Sequence, residues 1–212
     1  MKFLAAILSS SILVACGSGG GGSDAPASPT TESPTTPSPA IEALAQFEGV
    51  WREDCNDHMR VTKTSTATSG TTFSVVTRED YYDNADCTGA LVATGSYGVP
   101  DETVTYAPTL ANASVTLLTG ENIQADVAPA TSVAAVATFT VTGSGVKATE
   151  LVGTTLFARI EYANGDYLVM THPGLGGQTT YGAFLIRKYE LLALLPIDGF
   201  TNSFKVRHRY TR

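Results

Sequence analysis

The chain reads Gly49-Val50-Trp51, then Cys55, then Tyr81-Tyr82 before Cys87, and Gly95-Ser96-Tyr97 in the next apolar run. This stretch holds the only tryptophan and two of the three cysteines among the 212 residues. Around it, short runs alternate between apolar and polar residues, which is the pattern of strands with one buried face. Turn residues separate these runs. The sequence therefore predicts an all-β, antiparallel sandwich or barrel over residues 41–212, as one domain.

Three segments carry their own predictions. Asn164-Gly165 lies between two alternating runs, at 154–162 and 167–171, and is a strong hairpin signal. Residues 121–133, with Pro129 inside, read as a long loop. Residues 183–195 are apolar almost throughout, so they fit a buried strand or a helix; helical spacing favours a short helix over 187–195. Residues 40–47 predict a short N-terminal helix in front of the first strand.

The chain begins with Met1-Lys2 and a short apolar run, which is the layout of a secretory signal over residues 1–15. The run ends in Leu13-Val14-Ala15-Cys16, which resembles the bacterial lipobox. That resemblance implies cleavage before Cys16 and acylation of this cysteine, which would attach the chain to a lipid bilayer. Residues 17–40 are rich in Gly, Ser, Pro and Thr and predict a disordered tether, about 80 Å long when fully extended.

The net charge of −7 argues against a nucleic-acid partner, since such partners need a basic surface. With a secretory leader, the expected location is the cell envelope, on the outer membrane and facing the periplasm or the surface. In this oxidising compartment, Cys55 and Cys87 predict a disulfide between the exit of the first strand and a later hairpin.

The stretch that opens the domain resembles the calycin superfamily, of which the lipocalins are the familiar members. Over residues 49–97 it is more similar to the domain of the adenomatosis-polyposis-coli-down-regulated protein and its bacterial look-alikes. That family has Gly-x-Trp, a cysteine soon after it, Tyr-Tyr before a second cysteine, and glycine in the next strand. Glu53 and Asn56 stand where the family usually has Ser and Glu.

The resemblance implies a lipocalin-like barrel or half-barrel with a central pocket for an apolar or lipid-like ligand. The candidate pocket residues are Trp51, Tyr82, Tyr97 and Phe139. It also implies that an arginine of the last strand, Arg207 or Arg209, lies across the Trp51 ring and closes the barrel. Strand periodicity leaves a second reading open, in which both arginines form a solvated basic edge.

Small residues at inward positions leave the interior open to two readings. They could make room for a ligand, or they could belong to a narrow, filled barrel. The residues concerned are Ala93, Gly95, Ala135, Ala137 and Ala158.

No motif in the sequence indicates a catalytic site, a cofactor or a metal. The three histidines have no ligand spacing, and neither a Gly-x-Ser-x-Gly elbow nor a phosphate-binding loop occurs. Five acids near the predicted disulfide have hard oxygens of the type that Ca²⁺ takes, but their spacing matches no calcium loop, so a solvated rim is favoured. These acids are Glu53, Asp54, Asp57, Asp83 and Asp86.

Three functions compete at this point. The favoured one is a membrane-tethered lipoprotein that binds an apolar or lipid-like ligand in its barrel. The second is a non-enzymatic interaction module of the envelope, with a filled barrel and an unknown protein partner. The third is a hydrolase whose catalytic residues are dispersed along the sequence. A cavity of about 300 Å³ or more would favour the first.

Overall fold

A computed structural model of the chain describes residues 44–197 and 202–212. The predicted leader, Cys16 and the tether lie outside the described residues, as do the first residues of the predicted N-terminal helix. What is described of that segment is a single turn at residues 44–47, in which the amide of Phe47 donates to the carbonyl of Leu44 at 2.9 Å, and it does not amount to a helix. Within the described ranges, no helix has the length and apolar character needed to cross a membrane.

The described residues form sixteen β-strands, numbered in chain order. They are β1 Gly49–Glu53, β2 Met59–Ala67, β3 Thr72–Tyr82, β4 Leu91–Ser96, β5 Glu102–Tyr106, β6 Leu110–Thr116, β7 Asn122–Ala134, β8 Val136–Ala137, β9 Thr140–Thr142, β10 Val146–Val152, β11 Thr155–Glu161, β12 Tyr167–His172, β13 Leu175–Gly176, β14 Thr179–Arg187, β15 Glu190–Pro196 and β16 Ser203–Thr211.

Eight of these strands form an antiparallel ring in the order β1, β2, β3, β5, β7, β14, β15 and β16. The last strand pairs with the first through Arg52↔Thr211 and Glu53↔Tyr210, which closes the ring. This confirms the all-β, antiparallel prediction. The ring is not a regular barrel, because its closing seam is only two residue pairs long and a bulge interrupts β15 and β16.

A second core lies against the ring. Strand β6 pairs antiparallel with β7 and parallel with β16, so that β14 and β15 are covered on both faces. On β14, Phe184 and Ile186 pack on the core inside the ring, whereas Ala183 and Leu185 pack on the second core. The helix predicted over 187–195 is therefore wrong, since the segment belongs to a β14–β15 hairpin. A strand buried on both faces is apolar throughout and shows no alternation.

The loop predicted over 121–133 is also wrong, because strand β7 occupies it. One edge of β7 pairs first with β6, up to Val127, and then with β5, from Ala130 onward. Pro129 lies between these two ladders, and its carbonyl accepts the amide of Ala107 on that same edge. Proline has no amide hydrogen to donate, and at this point of the edge neither the β6 ladder nor the β5 ladder requires one.

A third core, here called the outer core, lies beside the ring. Strands β4 and β9 extend β3 outward, and the three-stranded sheet β10–β11–β12 contributes to the same core. The predicted hairpin is confirmed, since Asn164-Gly165 lies in the turn between β11 and β12. The buried residues of the outer core are Tyr81, Val92, Ala93, Phe139, Val141, Leu156, Ala158, Ile160, Tyr162 and Met170.

Candidate functional site

The ring surrounds a cavity of about 400 Å³, which falls within the usual range for small-molecule sites. Inward positions follow the period of two along each ring strand, as Val61, Lys63 and Ser65 do on β2. The residues that line the cavity are Phe47, Trp51, Glu53, Val61, Lys63, Ser65, Val75, Glu79, Glu102, Val104, Tyr106, Ala130, Ser132, Thr180, Tyr181, Gly182, Ala183, Phe184, Leu191, Ala193, Leu194, Leu195, Arg207, His208 and Tyr210.

Aromatic side chains supply much of the apolar wall. Phe47 stacks on Tyr106 with ring centroids 4.8 Å apart, and Phe184 meets both rings edge-on. The indole Nε1 of Trp51 donates to the carbonyl of Phe47 at 2.9 Å, so the tryptophan fixes the turn that precedes β1. Burial of its phenol is the main reason that the pKa of Tyr106 lies above its ordinary value, and the charge of Glu102 adds to the effect. This part of the wall is therefore neutral and apolar.

One ion pair lies inside the ring between β2 and β5. The Nζ of Lys63 is 3.0 Å from Oε2 of Glu102, and the hydroxyl of Ser132 donates to the other carboxylate oxygen. Burial alone would raise the pKa of Glu102. The charge of Lys63 and the two hydrogen bonds outweigh burial and hold that pKa below the ordinary value.

A second hydrogen-bonded carboxylate, that of Glu53, lies at the seam of the ring. Nδ1 of His208 is 2.7 Å from Oε1 of Glu53, and the Tyr210 hydroxyl also bonds this carboxylate. Burial would raise the pKa of Glu53, but these hydrogen bonds, with the charges of His208 and Lys63, leave it below its ordinary value. The cavity is thus amphipathic, with an apolar wall and carboxylates that are hydrogen-bonded within the protein.

Arg207 lines the cavity and also reaches solvent, which places it at an opening of the ring. It occupies the bulge of β16, because Ala193 pairs with His208 whereas Leu194 already pairs with Val206. A bulge redirects the side chain of the extra residue and interrupts the alternation of faces. Val206 accordingly packs in the second core, while His208 lines the cavity.

The arginine over Trp51 is Arg212, which corrects the expectation of Arg207 or Arg209. Its Cζ lies 4.3 Å from the indole centroid, and its guanidinium donates to the carbonyls of Gln46 and Glu48 at 2.6 Å each. The register explains the choice, since Arg52 pairs with Thr211 and the next position brings residue 212 beside Trp51.

Arg209 lies elsewhere, on the exposed side of β16. Its guanidinium is 3.0 Å from Oδ2 of Asp54 and 2.6 Å from Oε1 of Glu190. These contacts raise its pKa, with the hydrogen bond to Glu190 as the largest cause. Arg209 is therefore a surface ion-pair residue and has no contact with the indole.

Of the four predicted pocket residues, the structure brings only Trp51 to the cavity. Phe139 is buried in the outer core and Tyr97 packs against it, while Tyr82 has the guanidinium of Arg60 5.8 Å from its ring. The reason is that β5 takes the place beside the first half of β3, so β4 pairs only with the second half. The sequence pattern gives no sign of this exchange of partners.

The small inward residues are placed away from the cavity as well. Ala93 and Ala158 are buried in the outer core. Gly95 lies under the ring of Phe139, where a Cβ would overlap the aromatic carbons. The cavity is instead widened by small side chains that the sequence reasoning did not single out, such as Ser65 and Ala130.

A polar network at Glu79 was also missed, because its members are far apart in sequence. The Glu79 carboxylate accepts from the hydroxyl of Tyr81 at 2.6 Å and lies 3.2 Å from Nε2 of His172. Nδ1 of the same histidine is 3.1 Å from the hydroxyl of Tyr97, and its ring stacks on Phe139 at 3.8 Å. Burial raises the pKa of Tyr97 to about 12, with the charges of Glu79 and Asp101 adding to it.

The predicted disulfide is confirmed, and Cys55 and Cys87 are bonded with their Cα atoms 5.7 Å apart. The acids around it do not form a cluster. Asp54 pairs with Arg209, Asp83 accepts the amide of Ala163, and Asp86 accepts from Thr88. Across residues 44–197 and 202–212, no three His, Cys, Asp or Glu side chains converge as metal ligands would.

Comparison with protein-family models, with curated proteins and with solved structures finds no match to this chain. The class that the fold itself defines is an all-β protein with an eight-stranded, near-barrel ring around an amphipathic cavity.

Proposed function

We propose that this chain is a membrane-tethered lipoprotein of the cell envelope that binds an apolar or lipid-like molecule inside the eight-strand ring. The observation that carries the proposal is the cavity of about 400 Å³, with Trp51, Tyr106 and Leu191 in its wall. Concave, mostly apolar sites with a few convergent polar groups are the usual form of small-molecule sites. The lipocalin-like character suggested by Gly49 and Trp51 supports the same function.

The experiment is extraction of noncovalently bound molecules from the purified, acylated protein, followed by mass spectrometry. We expect the wild-type chain to yield one class of lipid-like molecule at a fixed ratio to protein. The variant Ser65→Phe, whose side chain would fill the cavity, should yield at least about tenfold less. Thr66→Phe, at the exposed neighbouring position of β2, is the matched control and should retain the wild-type yield.

Two outcomes would contradict the proposal. The first is a wild-type extract that contains no lipid-like molecule in excess of a blank preparation. The second is an equal yield from the wild-type chain and from Ser65→Phe, when circular dichroism shows that both proteins are folded. Equal yields would mean that the molecules surround the acyl chains of Cys16 and do not occupy the ring.

The membrane part of the proposal rests on residues 1–40 of the sequence. The Leu13–Cys16 tetrapeptide supports acylation at Cys16, and the tether supports a domain held near the bilayer. The lipid bilayer is then one partner of the protein and the ligand the other. No step of this function calls for an enzyme active site, a metal or a cofactor.

A second candidate is an interaction module of the envelope. It is favoured by apolar side chains on the solvent side of the β10–β12 sheet, where Tyr167 is 58% exposed and Val169 62% exposed. Leu151 and Val152 at the end of β10 are similarly exposed. A wild-type extract without ligand would favour this candidate.

A further inference from the structure

The charged side chains that line the cavity differ in whether they have a bonding partner within the protein. The carboxylate of Glu53 is held by His208 and Tyr210, that of Glu102 by Lys63 and Ser132, and that of Glu79 by Tyr81 and His172. Each cavity-lining acid therefore has its own donors within the protein. A ligand gains little by adding another donor to these oxygens.

Arg207 is the exception among the charged residues that line the cavity. Its guanidinium carries five N–H donors, and no carboxylate among the described residues forms an ion pair with it. Its placement is also specific, because the β16 bulge directs this residue to the opening of the cavity. The neighbouring Arg209, two residues further along, is engaged by Asp54 and Glu190.

From this arrangement we infer that the ligand is an amphiphile with a single anionic head group, a carboxylate or a phosphate, which Arg207 binds at the opening while the apolar body lies against Trp51, Tyr106 and Leu191. A planar guanidinium matches either head group in a bidentate geometry. The inference rests on the proposed function and deepens it by naming the chemistry of the ligand.

The test uses Trp51, the only tryptophan, as a reporter in the wall of the cavity. Bromine atoms quench indole fluorescence at contact distance, so a brominated long-chain fatty acid reports its own entry. The full chain carrying Cys16→Ser is titrated with the brominated acid, with its methyl ester and with the matching monoalkyl phosphate. We expect both anions to bind about 10- to 100-fold more tightly than the ester.

Substituting each arginine by itself separates binding of the head group by Arg207 from a general effect of positive charge on affinity. Arg207→Gln should bring the affinities of acid and ester within about twofold of each other while leaving ester quenching intact. Arg209→Gln should keep the wild-type preference. A preference for only one of the two anions would identify the head group.

Two results distinguish failure of the inference from failure of the proposed function. Equal binding of acid, phosphate and ester by the Cys16→Ser chain, or an anion preference that survives Arg207→Gln, would overturn the inference and leave the ligand cavity standing. No quenching by any of the three probes would overturn both.

Discussion

A single residue, Arg212, ties the end of the last strand to the start of the first. Its guanidinium lies over Trp51 and binds two carbonyls of the turn before β1. A cation over an indole is worth about 0.5–2 kcal/mol, and more when it is shielded from water. This contact supports the short seam of the ring, where only two residue pairs join β1 to β16.

We predict that Arg212→Ala and Trp51→Phe are coupled by about 0.5–2 kcal/mol in a double-mutant cycle of unfolding free energies. The cycle removes the part of the Arg212→Ala effect that comes from its backbone hydrogen bonds. Arg209→Ala in the same cycle is the control and should show coupling near zero. Equal coupling for both arginines would contradict the role given to Arg212.

His172 should make stability depend on pH. Burial lowers the pKa of His172, but the hydrogen bond and charge of Glu79 and the carbonyl of Pro173 raise it above the ordinary 6.5. A raised pKa means that the native state binds the proton more tightly than the unfolded state does. The stabilisation that protonated His172 contributes is therefore complete below pH 6.5. It is lost as the pH rises through the native pKa.

The prediction is that His172→Gln destabilises the protein more at pH 5.5 than at pH 9, values chosen about one unit below and well above the ordinary pKa. Denaturant unfolding at the two pH values measures the difference. Glu79→Gln should remove most of the pH dependence, since Glu79 is the charged partner. A His172→Gln effect that is the same at both pH values would contradict this assignment.

The disulfide joins the exit of β1 to the β3–β4 loop. The two cysteines are 32 residues apart in sequence, and the chain-entropy model gives about 3–4 kcal/mol for a loop of this length. We predict a loss of that size in unfolding free energy for the double variant Cys55→Ser, Cys87→Ser. Thiol labelling of the unfolded, unreduced wild-type domain should find neither cysteine reactive. Labelling of either residue would show that the bridge does not form.

The elements also show which parts of the fold can be predicted from sequence. The Asn164-Gly165 hairpin follows from local turn chemistry. Strands with one solvent-exposed face follow from the alternation of apolar and polar residues. The β14–β15 hairpin does not, because burial of both faces removes the alternation and leaves an apolar run that also fits a helix. Strand β7 could not be predicted either, because a proline usually argues against the interior of a strand. Pro129 is accepted here because β7 changes partner from β6 to β5 at this point.

The candidate site was less predictable than the fold. Trp51 could be placed in the ring because it opens the first strand, whereas Tyr97 and Phe139 could not be placed without knowing that β5 displaces β4. Arg212 follows from the closing register, which sequence periodicity does not contain. Glu79 and His172 are 93 residues apart, and no local spacing connects them.

The proposed tether predicts that attachment of the protein to the membrane depends on Cys16 alone. Cys16→Ser should shift the protein from the membrane fraction to the soluble fraction, because the acyl chains are the only proposed anchor. Fractionation and immunoblotting measure the shift, with Cys16 intact as the reference. If the Cys16→Ser chain still sediments with membranes, the domain itself must bind them, and the exposed side chains near Tyr167 become the first place to look.

The ring encloses an open cavity and is not filled by its own side chains. Xenon enters apolar cavities in protein crystals and can be located directly by its scattering. A crystal of this protein under xenon pressure should show a xenon site inside the ring, bounded by Trp51, Val104 and Leu191. Crystals of Ser65→Phe should show that site displaced or empty. A ring interior packed with side chains, with no xenon among these three residues, would show that the cavity does not exist.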